Sequence, residues 1–78
     1  MKTLQDLNVG ITVNYMTPKG VRTAVVTKIK KSNNGDVNLK VNLEEEDKTD
    51  PNGLFDEPRN VHFDDTDKKT WTWHFKEN

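Results

Sequence analysis

The chain has 78 residues, of which 31% are hydrophobic and 32% charged, with no cysteine. One small domain over residues 1–78 is expected, because so few apolar residues fill a single core only. Disulfide scaffolds, thiol nucleophiles and zinc sites with sulfur ligands are excluded.

The net charge of −1 hides two opposed halves: residues 1–43 carry +5 and residues 44–78 carry −6. Interleaving strands in a small barrel would bring the two into mutual neutralisation. No run reaches the length of a membrane span, and the first residues lack the apolar stretch of a signal peptide. A cytoplasmic protein without a membrane partner is expected.

Thr3-Leu4-Gln5-Asp6 has the form of a helix start, but Gly10 limits it to one short turn. Val9, Ile11, Val13 and Tyr15 alternate with polar residues, the period of a half-buried strand. Thr17-Pro18-Lys19-Gly20 is a turn. Val21 to Lys31 is the densest β segment. Asn34-Gly35 then predicts a hairpin into a strand with Val37, Leu39, Val41 and Leu43 on its dry face.

Glu44 to Pro58 is an acidic loop with a turn at Asp50-Pro51-Asn52-Gly53 and an isolated Leu54-Phe55 pair. Such a pair either tucks onto the core or meets a partner. Arg59 to Phe63 reads as a short strand with Val61 and Phe63 inward. Thr70 to Phe75 reads as the last strand, with Trp71, Trp73 and Phe75 on one face. Five short strands joined by tight turns predict an all-β fold. The form expected is a small five-stranded antiparallel SH3-like barrel with a long acidic loop between strands 3 and 4. A curved meander is the alternative.

Three segments carry a resemblance: Arg22-Thr23-Ala24-Val25-Val26-Thr27-Lys28-Ile29; Val37-Asn38-Leu39-Lys40-Val41 followed by Asp50-Pro51-Asn52-Gly53-Leu54-Phe55; and Thr70-Trp71-Thr72-Trp73-His74. Together they resemble a family of small bacteriophage proteins. Its pattern reads Gly-Val-Xaa-Arg-Ala-Ala-Val-Val-Thr, then Val-Asn-Leu-Xaa-Val, then a C-terminal Thr-Trp-His-Trp-Pro. The likeness runs from about Gly10 to Phe75. It departs at Thr72, where the family has His, and at His74, where the family has Pro, so no role tied to that histidine carries over. The resemblance implies a phage origin and the cytoplasm of an infected host. It implies no activity.

Catalytic constellations are weak. Most of the 13 acids lie in solvated runs, where nothing separates their pKa values, and Ser32 is a lone serine in a turn. His62, Asp64, Asp65 and His74 lack metal-ligand spacing, and Asp64-Asp65-Thr66-Asp67 lacks the glycine and distal glutamate of a calcium loop. No metal, cofactor or enzymatic role is expected. A binding role has more material: Trp71 and Trp73 as ring anchors, Tyr15, the strand lysines Lys28 and Lys40, and the Leu54-Phe55 pair. The leading expectation is a phage protein that blocks a host or defence component stoichiometrically. Its partner would be a protein surface or a nucleotide-like signal, the latter held between subunits of a homo-oligomer by a Trp ring and a lysine. A nucleic-acid binder using Lys28, Lys30, Lys40 and Tyr15 is the alternative, disfavoured by a pI near 6.1. A structural virion component is the third reading.

Overall fold

Two hairpins in succession build most of the sheet. A computed structural model describes residues 3–31, 33–48, 56–66 and 68–76. β1 (Thr12–Thr17) turns through Pro18-Lys19 into β2 (Gly20–Lys31), and β2 returns as β3 (Asp36–Val41). The long connection after β3 carries α1 (Glu45–Lys48), and β4 (His62–Phe63) and β5 (Thr72–Phe75) complete the chain. Ahead of β1, Thr3 caps a single 3-10 turn, Leu4–Asp6, with the Thr3 N–H donating to Asp6 Oδ2 at 2.8 Å.

The sheet order is β3-β2-β1-β5-β4, a five-stranded sheet curled into a half-barrel. It is mixed and not wholly antiparallel, because β4 and β5 run parallel. A parallel pair ordinarily needs a long crossover. Here the ladder is only His62↔Thr72 and Phe63↔Trp73, so the chain need climb back only roughly 7 Å at about 3.3 Å per residue. The turns at residues 65–66 and 69–71 suffice for that.

The curl has a visible cause in β2. The register with β3 slips between Val26 and Lys28 and again between Ile29 and Lys31. Each slip inserts one unpaired residue, and such bulges bend a strand and increase its twist. The first also explains why Val26 and Ile29, three apart, both face the core while Lys28 is exposed.

The residues before β4 cover the outer edge of β3. Val41 N–H donates to Asp56 O at 2.6 Å, Leu39 N–H to Pro58 O at 3.0 Å, and Val37 and Val61 exchange both bonds. Pro58 serves only as an acceptor there, so its missing N–H costs nothing.

The core is Val13 and Tyr15 of β1, Ala24 and Val26 of β2, Val37, Leu39 and Val41 of β3, Trp73 and Phe75 of β5, with Leu7 and Val61. Trp73 is its largest fully buried member. Its ring packs on Phe63, at 4.9 Å, and on Phe75, at 5.0 Å, and the two phenylalanine rings also meet each other at 5.9 Å. Its indole N–H donates to Gly35 O at 2.7 Å. Gly35 has φ +74°, and a Cβ there would stand 2.6 Å from Phe63 Cβ. Only glycine suits both the turn and the close approach of the ring cluster.

Trp73→Ala is expected to lower stability by about 3–5 kcal/mol. Trp73→Phe should cost less, about 1–3 kcal/mol, chiefly through the Gly35 carbonyl left without its buried donor. Urea unfolding of the two variants beside the parent checks both values.

Candidate functional site

Trp71 sits one residue before β5, where the chain leaves strand geometry. Its φ is +64°, a left-handed conformation in which a bulky side chain is an outlier. Two contacts hold it there. Its own N–H donates to Met16 O at 2.7 Å, and the Thr72 hydroxyl donates to Lys69 O at 2.6 Å, closing the turn. The turn swings the ring out of the alternation, so Trp71 does not share the inward face with Trp73 and Phe75. It is 48% exposed and rests tilted against Tyr15, ring centroids 6.3 Å apart. Tyr15 is buried, and burial raises its phenol pKa.

Beneath this end of the sheet lies a charged pair that the sequence did not single out. Arg22 pairs with Tyr15 across the β1–β2 ladder and faces inward with Ala24 and Val26. Its Nε donates to Asp47 Oδ2 at 2.7 Å and its Nη2 to Asp47 Oδ1 at 3.1 Å, a bidentate fork on a fully buried carboxylate. The Glu44 N–H adds a third donor to Asp47 Oδ2 at 3.0 Å. The Arg22 guanidinium first, and the Glu44 amide second, hold the Asp47 carboxyl down at about 2. Burial opposes them and loses. Glu44 itself stands exposed, with its carboxylate 4.0 Å from Arg22 Nη2. One clue was readable beforehand: strand alternation places Arg22 on the face of Ala24 and Val26, and a buried guanidinium requires a carboxylate. Which acid of Glu44–Asp47 answers it was not readable.

The other expected site residues fall as follows. Trp73 is wholly inside and serves the core. Lys40, opposite Val25, and Lys28, opposite Asn38, are exposed on the outer face of the β2–β3 ladder. Lys28 lies six residues along β2 from Arg22, roughly 20 Å at about 3.3 Å per residue, so one chain does not bring it to the Trp71 ring. Leu54 and Phe55 lie outside the described residues, as does the turn at Asp50–Gly53.

The histidines are engaged elsewhere. His62 Nδ1 is 2.7 Å from Asp36 Oδ1, and His74 Nε2 is 3.2 Å from the Asn14 amide nitrogen. Asp64 is held below the usual carboxylate range by the hydroxyl and N–H of Thr66. Among the described residues no three His, Cys, Asp or Glu side chains gather as metal ligands would. No helix among them is long and apolar enough to cross a membrane.

Comparison with family models, with curated proteins and with solved structures gives no match to this chain.

Two outcomes follow from the geometry. Because the folded pKa of Asp47 is depressed, its contribution to stability is complete above the ordinary value of 3.8 and is lost as pH falls toward about 2. Urea midpoints measured from about pH 5 downward should fall across that window, and Asp47→Asn should be less stable at pH 5 with a flatter slope below it. Trp71→Gly relieves the left-handed strain while removing an exposed ring, so it should unfold within about 1 kcal/mol of the parent. A loss of several kcal/mol would make Trp71 a structural residue.

Proposed function

We propose that this chain is a small, non-enzymatic binding protein of a phage that acts by stoichiometric blocking of a host or defence component. The observation that carries this reading is Trp71. A tryptophan gains nothing for the core by standing half in water on a left-handed backbone, and strain of this kind persists where a side chain is aimed for a purpose. Tyr15 behind it and the hydrogen bonds of its turn fix the ring in place, so little order is lost when a target covers it. A rigid, partly exposed tryptophan is a typical anchor of protein interfaces and also a platform for a flat ligand ring.

A protein surface is the target we favour. The β1–β2 ladder whose Met16 carbonyl holds Trp71 also presents Val21, exposed, and Met16, half-buried, which pair with each other on its outward face. Lys28, the lysine expected to accompany a Trp ring around a nucleotide-like ligand, is far along the sheet. The phage assignment rests on the resemblance of the Arg22–Ile29, Val37–Val41 and Thr70–His74 segments. The half-barrel itself we read as SH3-like, on its five short strands, tight turns and curled sheet. Nucleic-acid binding through Tyr15 receives no support, since that ring is buried and has no face to stack on.

Native mass spectrometry of the protein purified gently from infected cells tests the reading. A foreign protein carried at fixed stoichiometry is expected with the parent and absent with Trp71→Gly. A small retained mass lost in the same variant would move the target to a nucleotide-like ligand. If parent and variant carry the same mass, or nothing beyond copies of the chain itself, the reading fails.

A further inference from the structure

Among the asparagines of the chain, Asn34 and Asn52 are the two that a glycine follows. Asn52-Gly53 lies outside the described residues. Asn34 stands exposed in the β2–β3 turn, with its backbone N–H donating to Lys31 O at 3.3 Å. Among the described residues its side-chain amide has no hydrogen-bond partner. Other asparagine side chains are tied: Asn8 Nδ2 donates to Asp6 O, Asn14 Nδ2 lies 3.2 Å from His74 Nε2, and Asn38 Oδ1 accepts from the Asn60 N–H.

Gly35 is placed in the opposite way. It is buried, and its carbonyl takes the Trp73 indole N–H at 2.7 Å. A Cβ on it would stand 2.6 Å from Phe63 Cβ and 2.9 Å from Leu4 Cδ2. The ring cluster therefore requires glycine at this position. The same missing side chain leaves the Gly35 nitrogen without steric shielding from the amide of its neighbour. What the core demands at 35 makes the residue at 34 chemically labile.

We infer that Asn34 is a deamidation site whose isoaspartate product releases the contact at the centre of the core. The Gly35 nitrogen attacks Asn34 Cγ, and its proton leaves with the side-chain nitrogen as ammonia. A five-membered succinimide closes. Water then opens the ring. Attack of water at Cγ gives aspartate on the ordinary main chain. Attack at the backbone carbonyl carbon gives isoaspartate, with the chain running through the side chain and a free α-carboxylate. One water enters and one ammonia leaves, with no change of oxidation state.

Isoaspartate adds one methylene to the main chain just ahead of Gly35. The turn has no slack to take it up. Lys31 pairs with Asp36 across its base, and Phe63 and Leu4 press on Gly35 from inside. The Gly35 carbonyl moves off the indole, and Trp73 is left with a buried donor and no acceptor. Each molecule thus carries a single-use, irreversible means of loosening its own core. This event is separate from the exposed ring of Trp71 and from whatever covers it.

The test uses Asn52→Gln, which removes the second Asn-Gly. The folded protein is held in mildly alkaline buffer, and peptide mass spectrometry with isoaspartyl methyltransferase labelling follows residue 34. Isoaspartate should accumulate at 34 ahead of every other asparagine. Converted molecules, separated by anion exchange on their added charge, should have a lower urea midpoint. Their Trp73 indole N–H should exchange with solvent at least about tenfold faster than in fresh protein. Adding Asn34→Gln, whose longer side chain must close a six-membered ring, should remove both changes at the same age. The inference is overturned if residue 34 stays intact in the folded protein over the time in which the urea-unfolded chain converts. Converted molecules with unchanged Trp73 protection and unchanged urea midpoint overturn it as well.

Discussion

The indole of Trp73 spans the inside of the curled sheet. β5 and the β2–β3 turn are not neighbours in the sheet order, yet the Trp73 N–H reaches the Gly35 carbonyl and its ring packs on both Phe63 and Phe75. A flat five-stranded sheet of this length would leave its inner face half wet. Curled over one indole, it closes on a cluster of eleven buried apolar residues among those described. The bulges in β2 make the bend, and Gly35 makes the approach close enough for the hydrogen bond. A chain with 31% hydrophobic residues has little apolar volume to spare, so one large ring at the centre of curvature does more than several small side chains at the rim.

The Arg22–Asp47 fork solves a different problem. Residues 44–48 carry no apolar side chain to bury. They are fastened by a charged fork, with one carboxylate inserted under the sheet end and three donors turned upon it. Such a pair contributes little net stability against a hydrophobic substitute, but it is directional. It defines where α1 sits relative to Tyr15, and Tyr15 in turn backs Trp71. The platform under the exposed ring is therefore an electrostatic contact relayed through an aromatic one.

Much of the strand order was legible in the residues. Alternation marked β1 and β3, Asn34-Gly35 marked the second hairpin, and Thr3 marked the opening turn, because each depends on neighbours in sequence. Three features escaped. The bulges escaped because Val25, Val26, Thr27, Lys28 and Ile29 suit a strand in either register. The parallel pairing of β4 with β5 escaped because a two-residue ladder leaves no periodicity to read. The departure of Trp71 from β5 escaped because Thr70-Trp71-Thr72-Trp73 alternates perfectly as a strand, and only the bond to Met16 O turns it aside. Of the candidate site, the residue types were visible and their placement was not. Two tryptophans two residues apart have opposite fates, one enclosed and one half in water, and nothing local distinguishes them.

The pairing of β1 with β5 joins residues about sixty positions apart, Val13 with Phe75 and Asn14 with His74. β1 is synthesised about sixty residues before β5. Until then β1 has one side bonded to β2 and the other bare, and the core lacks Trp73. The β1–β5 ladder closes only once β5 is available to pair. Non-local closure of this kind slows folding and leaves an open strand edge in the interval. Loss of β5 would therefore leave a two-hairpin remnant with an exposed β1 edge and without Trp73 at its centre.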